Sequence, residues 1–234
     1  MRLKLIGCEV LYRELCAAVA RSVNQVDLEL LPKGLHDLGR CAMLARLQQA
    51  VDRVDGACYE AVALGYALCG RGLEGLKARS LPLVVPRAHD CITLFLGSRE
   101  RYLDYFHSHP GVYFQTSGWI ERGAALDSQM SLAYDDLVER YGEENARYLR
   151  EELTRHYRQL TYIRMGVEPD GRFEQRTRSE AAARGWTFEK VDGDMRLIQQ
   201  LVDGPWTGPD FLLVPPGSRV AVRHDETIMF AEPA

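Results

Sequence analysis

Apolar and polar positions follow two rhythms along this chain, and the first two-thirds alternate between them. Leu3 to Val10 reads as a short strand. Leu11 to Val23 follows with Leu11, Leu15, Ala18 and Val19 at helical spacing. Val26 to Leu31 is a second strand that runs into a Pro32-Lys33-Gly34 loop. Arg40 to Val54 is a helix with Leu44, Leu47, Ala50, Val51 and Val54 as its apolar stripe. Glu60 to Leu68 is nearly all apolar, which predicts a central strand closed by Cys69. Leu81 to Pro86 is a fourth strand, and Cys91 to Phe106 a third long helix.

Beyond residue 110 the pattern loosens. Gly111 to Ile120 suits a strand and turn. A long charged helix is expected over residues 132–157, interrupted around Tyr141-Gly142. Leu160 to Met165 is a strand and Arg172 to Arg184 a polar helix. Thr187–Val191, Met195–Val202 and Phe211–Val214 read as strand, helix, strand, with a turn at Pro215–Ser218. No internal repeat is visible. The succession predicts an α/β fold: a mostly parallel sheet with helices on both faces. It also admits two α/β halves in one compact unit, residues 1–125 and 126–234. Ligands in such sheets bind beyond the strand C-terminal ends, near a switch in strand order.

Composition narrows the classes. Hydrophobic residues make up 46% and charged residues 26% of 234, the balance of a globular protein. The net charge of -4, without a basic run, gives no electrostatic support to nucleic-acid or anionic-membrane binding. The apolar runs are of strand length, and the N-terminus reads as a first strand rather than a signal peptide, so a cytoplasmic location is expected. Six cysteines in such a chain are better read as reduced thiols or metal ligands than as disulfides.

Candidate chemistry gathers at the expected strand ends. Cys8 closes the first strand, Cys69 the third, and His89 and Cys91 follow the fourth. Thiolate and imidazole together suit zinc, with cobalt, copper and iron–sulfur centres as rivals. Cysteine is also simply a small buried apolar residue, and that reading is preferred for Cys16, Cys41 and Cys58. Asp90 either orients an imidazole or caps the helix that begins at Cys91. Gly70-Arg71-Gly72-Leu73-Glu74-Gly75 matches G-x-G-x-x-G, but too few residues precede the next strand for a crossover helix. A turn that offers Gly70 and Gly72 N–H groups to an anion fits better. After the second strand, Lys33, His36 and Asp37 are either a solvated loop or a place where His36 works as an acid, base or ligand. Thr116 and Trp119 could line a pocket for an organic ligand, or Trp119 could be core beside a turn. Ser117 lacks a nucleophile-elbow context.

Four segments carry a resemblance: Gly7–Leu11, Leu64–Gly70, Pro86–Ser98 (PRAHDCITLFLGS) and Thr116–Ile120. They resemble the domain-of-unknown-function-1638 family over roughly residues 3–215. The family form of the Gly-rich turn has Asn where this chain has Arg71. Members often stand beside corrinoid-dependent methyltransferase systems, so the resemblance implies methyl or one-carbon metabolism and a corrinoid protein or methyltransferase as partner. Zinc methyltransferases that activate thiols use an H-x-C element with a distant Cys, and His89-Asp90-Cys91 with Cys8 or Cys69 supplies those residue types. The distant cysteines here precede that element, so this second likeness is one of chemistry and not of fold. Three readings stay open: a metal-dependent methyltransferase, with zinc held by Cys8, Cys69, His89 and Cys91; a non-catalytic accessory protein that carries a metal or corrinoid; and a small-ligand site by the Gly-rich turn and Trp119.

Overall fold

The computed structural model describes residues 1–36, 39–123, 134–223 and 225–234. The chain divides into two compact units: residues 1–102 with 193–234, and residues 103–192. The boundary expected at residues 125–126 lies outside the described residues.

The first unit begins with β1 (Arg2–Cys8), a 3-10 turn (Glu9–Leu11), α1 (Tyr12–Arg21), β2 (Gln25–Leu31), a second 3-10 turn (Lys33–His36) and α2 (Arg40–Asp52). It continues with β3 (Ala61–Gly65), β4 (Leu83–Pro86), α3 (Cys91–Leu96) and the start of α4 (Arg99–Ser108). β1 pairs parallel with β2 on one side and with β3 on the other, and β3 pairs parallel with β4. The spatial order β2-β1-β3-β4 therefore reverses direction between β1 and β3. That reversal opens a crevice beyond the carboxyl ends of those two strands.

Sequence accounts for this placement. All five residues of β3 are buried, as a central strand requires, whereas β2 stays half-exposed at the sheet edge. Gly7 and Gly65 are direct neighbours in the β1–β3 register. A Cβ on Gly7 would fall 2.3 Å from Leu15 Cδ1, and one on Gly65 would fall 3.0 Å from the same atom. The glycine pair thus makes a notch into which Leu15 of α1 seats. Full burial of a leucine contributes roughly 1.5–3 kcal/mol.

In the second unit β5 (Val112–Gln115), β6 (Gln159–Arg164) and β7 (Thr187–Asp192) form a three-stranded parallel sheet with β6 in the middle. Among the described residues it holds the end of α4 and the helices α5 (Ser117–Arg122), α6 (Tyr134–Tyr141), α7 (Glu143–Thr154) and α8 (Arg172–Ala183). The expected break at Tyr141-Gly142 falls between α6 and α7, where Gly142 takes φ +78°. Residues 132–133 of that expected helix lie outside the described residues.

The chain then returns to the first unit with α9 (Arg196–Asp203), β8 (Phe211–Val214) and a hairpin of β9 (Ser218–Val222) and β10 (Met229–Pro233). β8 pairs antiparallel with β4 and completes a five-stranded, mostly parallel sheet. No described helix is long and apolar enough to cross a membrane.

Three expectations need correction. β3 ends at Gly65, four residues before Cys69. The apolar run continues because Tyr66–Leu68 stays buried, while the β1 register stops at Gly65 and the backbone turns to the β4 loop: Leu68 N–H bonds Ala88 C=O and Cys69 N–H bonds His89 C=O, each at 2.9 Å. The long helix expected from Cys91 is two helices. Gly97 ends the first at φ +73°, where a Cβ would fall 2.5 Å from the Asp194 side chain. Cys41 and Cys58 are exposed and not core.

Candidate functional site

The loops after β1, β3 and β4 meet at the carboxyl edge of the first sheet. Cys8 is the last residue of β1 and is buried. The backbone N–H of Val10, in the turn that follows, points at its sulfur. After β3 the chain carries Tyr66, 1% exposed, and then Cys69. The Cys69 sulfur receives the N–H groups of Ala67 and Cys91, which ties the β3 loop to the β4 loop.

The turn at Cys69 is conformationally unusual. Cys69, Gly70 and Arg71 take φ +46°, +63° and +70°, three consecutive residues in the left-handed region. For residues with a Cβ that region costs roughly 1–2 kcal/mol each. Such residues concentrate where function demands a fixed shape. Among the described residues neither the Gly70 nor the Arg71 N–H donates to another group. Arg71 instead spends its side chain on Glu74, with bonds of 2.8 and 2.7 Å, and Arg40 pairs with the same carboxylate at 2.6 Å. Gly72 has a packing role: a Cβ there would fall 2.4 Å from Met43 Sδ. No helix follows this turn before β4.

Asp90 is the N-cap of α3. Its carboxylate accepts the Ile92 N–H at 3.0 Å and the Tyr102 hydroxyl at 2.9 Å. The cap fixes Cys91 as the first residue of the helix, buried against the edge. His89, one residue earlier, is exposed.

Burial and mutual charge govern the ionisation of this cluster. Burial pushes the Cys8 thiol up to about 12, with Glu9 adding to the rise and the Val10 N–H and Lys33 opposing it. Burial likewise raises Cys69, whose surface is partly accessible while its sulfur lies deep, and the charges of Cys8 and Asp90 raise it further. Tyr66 is held far above the phenol range by burial first, then by Cys8 and Cys69. Its hydroxyl faces the Cys8 thiol but outside ordinary hydrogen-bond geometry, so it counts as a buried polar atom without a partner. Burial also raises Asp90, against the pull of Tyr102 and the helix N–H groups. Two thiols, a phenol and a carboxyl therefore sense one another at one sheet edge.

The donor chemistry suits a thiophilic ion. The geometry is not that of a ready closed site: among the described residues no three His, Cys, Asp or Glu side chains are gathered as a ligand group. Cys8 and Cys69 lie within each other's electrostatic reach, Cys91 joins them through its N–H, and His89 faces outward.

The other nominated residues sit elsewhere. Thr116 and Trp119 belong to the second unit, where Thr116 caps α5 by accepting the Trp119 N–H at 3.5 Å. Thr116 is buried and Trp119 half-buried. His36 closes the second 3-10 turn by its backbone, and Asp37 lies outside the described residues. Tyr66 and Tyr102 are site residues that sequence reasoning missed. A tyrosine inside an apolar run just before a cysteine was the available signal for Tyr66.

No curated protein and no solved structure matches this chain. A family model described as "Protein of unknown function (DUF1638)" matches residues 30–202. Cys69, His89, Asp90 and Cys91 lie inside the match and Cys8 lies before it. With more than half of its length so matched, the chain belongs to the DUF1638 family.

Proposed function

We propose that this protein works on a small substrate at the carboxyl edge of its first sheet, as a metal-dependent enzyme of methyl or one-carbon transfer in the cytoplasm. The observation that supports this reading is the pairing of the Cys8 and Cys69 thiols, in mutual electrostatic range, at the reversal of strand order. A zinc-like ion bound there supplies Lewis-acid activation of a substrate thiol or methyl donor. Cys8 and Cys69 give up their protons to take up the ion, so uptake weakens as pH falls. A site that rests on two thiols keeps positions open for substrate, as a catalytic rather than a structural centre does. Tyr66 stays a neutral phenol and offers a hydrogen bond to a ligand atom in the crevice. Asp90 holds Cys91 and the β4 loop in place through its cap. The Gly70 and Arg71 N–H groups are available to an anionic part of the substrate.

Elemental analysis of anaerobically purified, zinc-replete protein tests the reading. About one zinc per chain is expected, lost in Cys8→Ser and Cys69→Ser and retained in Cys58→Ser, whose exposed thiol bonds Asp55 instead. Folded protein that carries no zinc under those conditions would sink it. Zinc bound with four protein ligands and no exchangeable position would favour the accessory reading, in which the protein carries a metal or corrinoid for a partner methyltransferase.

A further inference from the structure

Beside the last residue of β2 lies a cavity of about 320 Å³, away from the cysteine cluster in its lining. This is the lower end of the range in which small-molecule sites fall, roughly 300–1,000 Å³. Leu31, Pro32 and Leu35 give it apolar surface. Arg46, Gln49 and Arg53 give it polar groups. These three are spaced i, i+3 and i+7 along α2 and its C-cap, which puts them on one helix face.

The charges of that face are unequal. Arg53 donates to Glu29 Oε1 at 2.8 Å, a carboxylate it shares with Lys4 at 3.0 Å. The side chains of Arg46 and Gln49 make no hydrogen bond or ion pair among the described residues. The cavity therefore presents the Arg46 guanidinium and the Gln49 amide, both without a partner among the described residues, above an apolar surface. A guanidinium fork matches a carboxylate in two parallel hydrogen bonds. One unpaired guanidinium fork beside an apolar surface suits a monoanion with an apolar tail better than a phosphate, which brings a second negative charge and no apolar part.

We propose that this cavity binds a small carboxylate with a short apolar tail. Arg46 holds the carboxylate, Gln49 donates to its second oxygen, and the tail lies on Leu31, Pro32 and Leu35. The site is separate from the thiol cluster, although the two approach in sequence: the Lys33 N–H bonds Glu9 Oε1 at 2.8 Å, while Gly34 and Leu35 of the same 3-10 turn line the cavity.

Calorimetric titration of the full chain with hexanoate tests the proposal, with inorganic phosphate and hexan-1-ol as comparison probes. Saturable binding of one hexanoate is expected, with both comparison probes binding more weakly. Arg46→Gln should weaken hexanoate about tenfold or more, the loss of one charge-assisted contact. Its zinc content should equal that of the parent, which separates a failure here from a failure of the thiol site. Because Arg46 is exposed, the variant should keep its circular-dichroism spectrum and melting midpoint. Should it lose them, Gln49→Leu replaces it, with a smaller weakening of hexanoate expected. The proposal is overturned by unsaturable hexanoate binding, by equal binding to the substituted proteins, or by phosphate or hexan-1-ol binding as tightly as hexanoate.

Discussion

Tyr66, just past β3 in the first unit, and Tyr105, on α4 in the second, are both phenols held well above their ordinary range, and they reach that state by different routes. Tyr66 is raised by burial and by two neighbouring thiols, and its hydroxyl has no hydrogen-bond partner of ordinary geometry among the described residues, only the nearby Cys8 thiol. Tyr105 is raised by burial and by its bond to Glu189, at 2.6 Å. Its hydroxyl also meets Thr161 Oγ1 at 3.0 Å and Gln159 Nε2 at 2.9 Å, and its ring stacks on His109 at 4.0 Å. The shift has the same direction at both places. Only the partners separate a closed structural network from a polar group held in reserve. A buried hydroxyl without a partner costs roughly 1–3 kcal/mol, and the cluster around Tyr66 carries that cost together with left-handed backbone at Cys69 and Arg71.

The largest expected effects contrast the two units at glycine. Gly111→Ala, in the second unit, should cost about 2–4 kcal/mol in urea unfolding, because φ is +84° and a Cβ would fall 2.3 Å from the His156 carbonyl oxygen. Gly70→Ala should cost only about 1 kcal/mol, since φ is +63° but nothing lies within 4 Å. Equal losses would mean that the turn at the thiols is as tightly enclosed as the entry to β5.

Removing the two hydroxyls sharpens the contrast. Tyr105→Phe should cost about 1–2 kcal/mol, as Glu189, Thr161 and Gln159 lose a shared partner. Tyr66→Phe should leave stability unchanged or raise it slightly, because only a poorly aligned contact with the Cys8 thiol is lost. A Tyr66→Phe loss as large as that of Tyr105→Phe breaks the distinction between network and reserve.

The smallest effect is shared by both phenols and appears on the alkaline side. A folded pKa above the unfolded one means that the native state holds its proton more tightly. The corresponding stability is present below about pH 10, the ordinary phenol value, and is lost as pH rises towards the folded value. Metal-free protein should therefore lose unfolding free energy above that pH. Each Tyr→Phe variant should show a shallower decline, measured by urea midpoints at successive pH values. An unchanged slope in Tyr66→Phe would mean that its phenol is not shielded from water.

Much of the first sheet was legible because its strands are short apolar runs closed by turns, and β1, β2 and β4 fall where the pattern put them. Hydrophobicity reports burial, however, and not which backbone a segment bonds. That is why Tyr66–Leu68 read as strand although the Leu68 N–H crosses to Ala88 in the β4 loop. The antiparallel pairing of β8 with β4 has no local signal, since partner choice is decided by segments far apart in sequence. The break between α3 and α4 was missed, although Gly97, which takes φ +73°, was the local signal for it. Of the site, Cys8, Cys69 and Cys91 were nominated from strand ends, and Asp90 caps as one of its two readings allowed. Treating the remaining cysteines as core failed at the exposed Cys41 and at Cys58, whose exposed sulfur meets Asp55 at 3.3 Å.

The late arrival of β8 bears on how the chain is made. Arg87, just past β4, bonds the carbonyl of Phe211, 124 residues on. During synthesis from the N-terminus, β1 to β4 emerge long before their fifth strand. The Leu83–Pro86 edge then stands open, with apolar side chains and unpaired backbone groups, while the intervening segment is translated. Pairings of such sequence separation form slowly. The nascent chain thus passes through a window in which a sticky strand waits for its cover, and holding chaperones would act on it there.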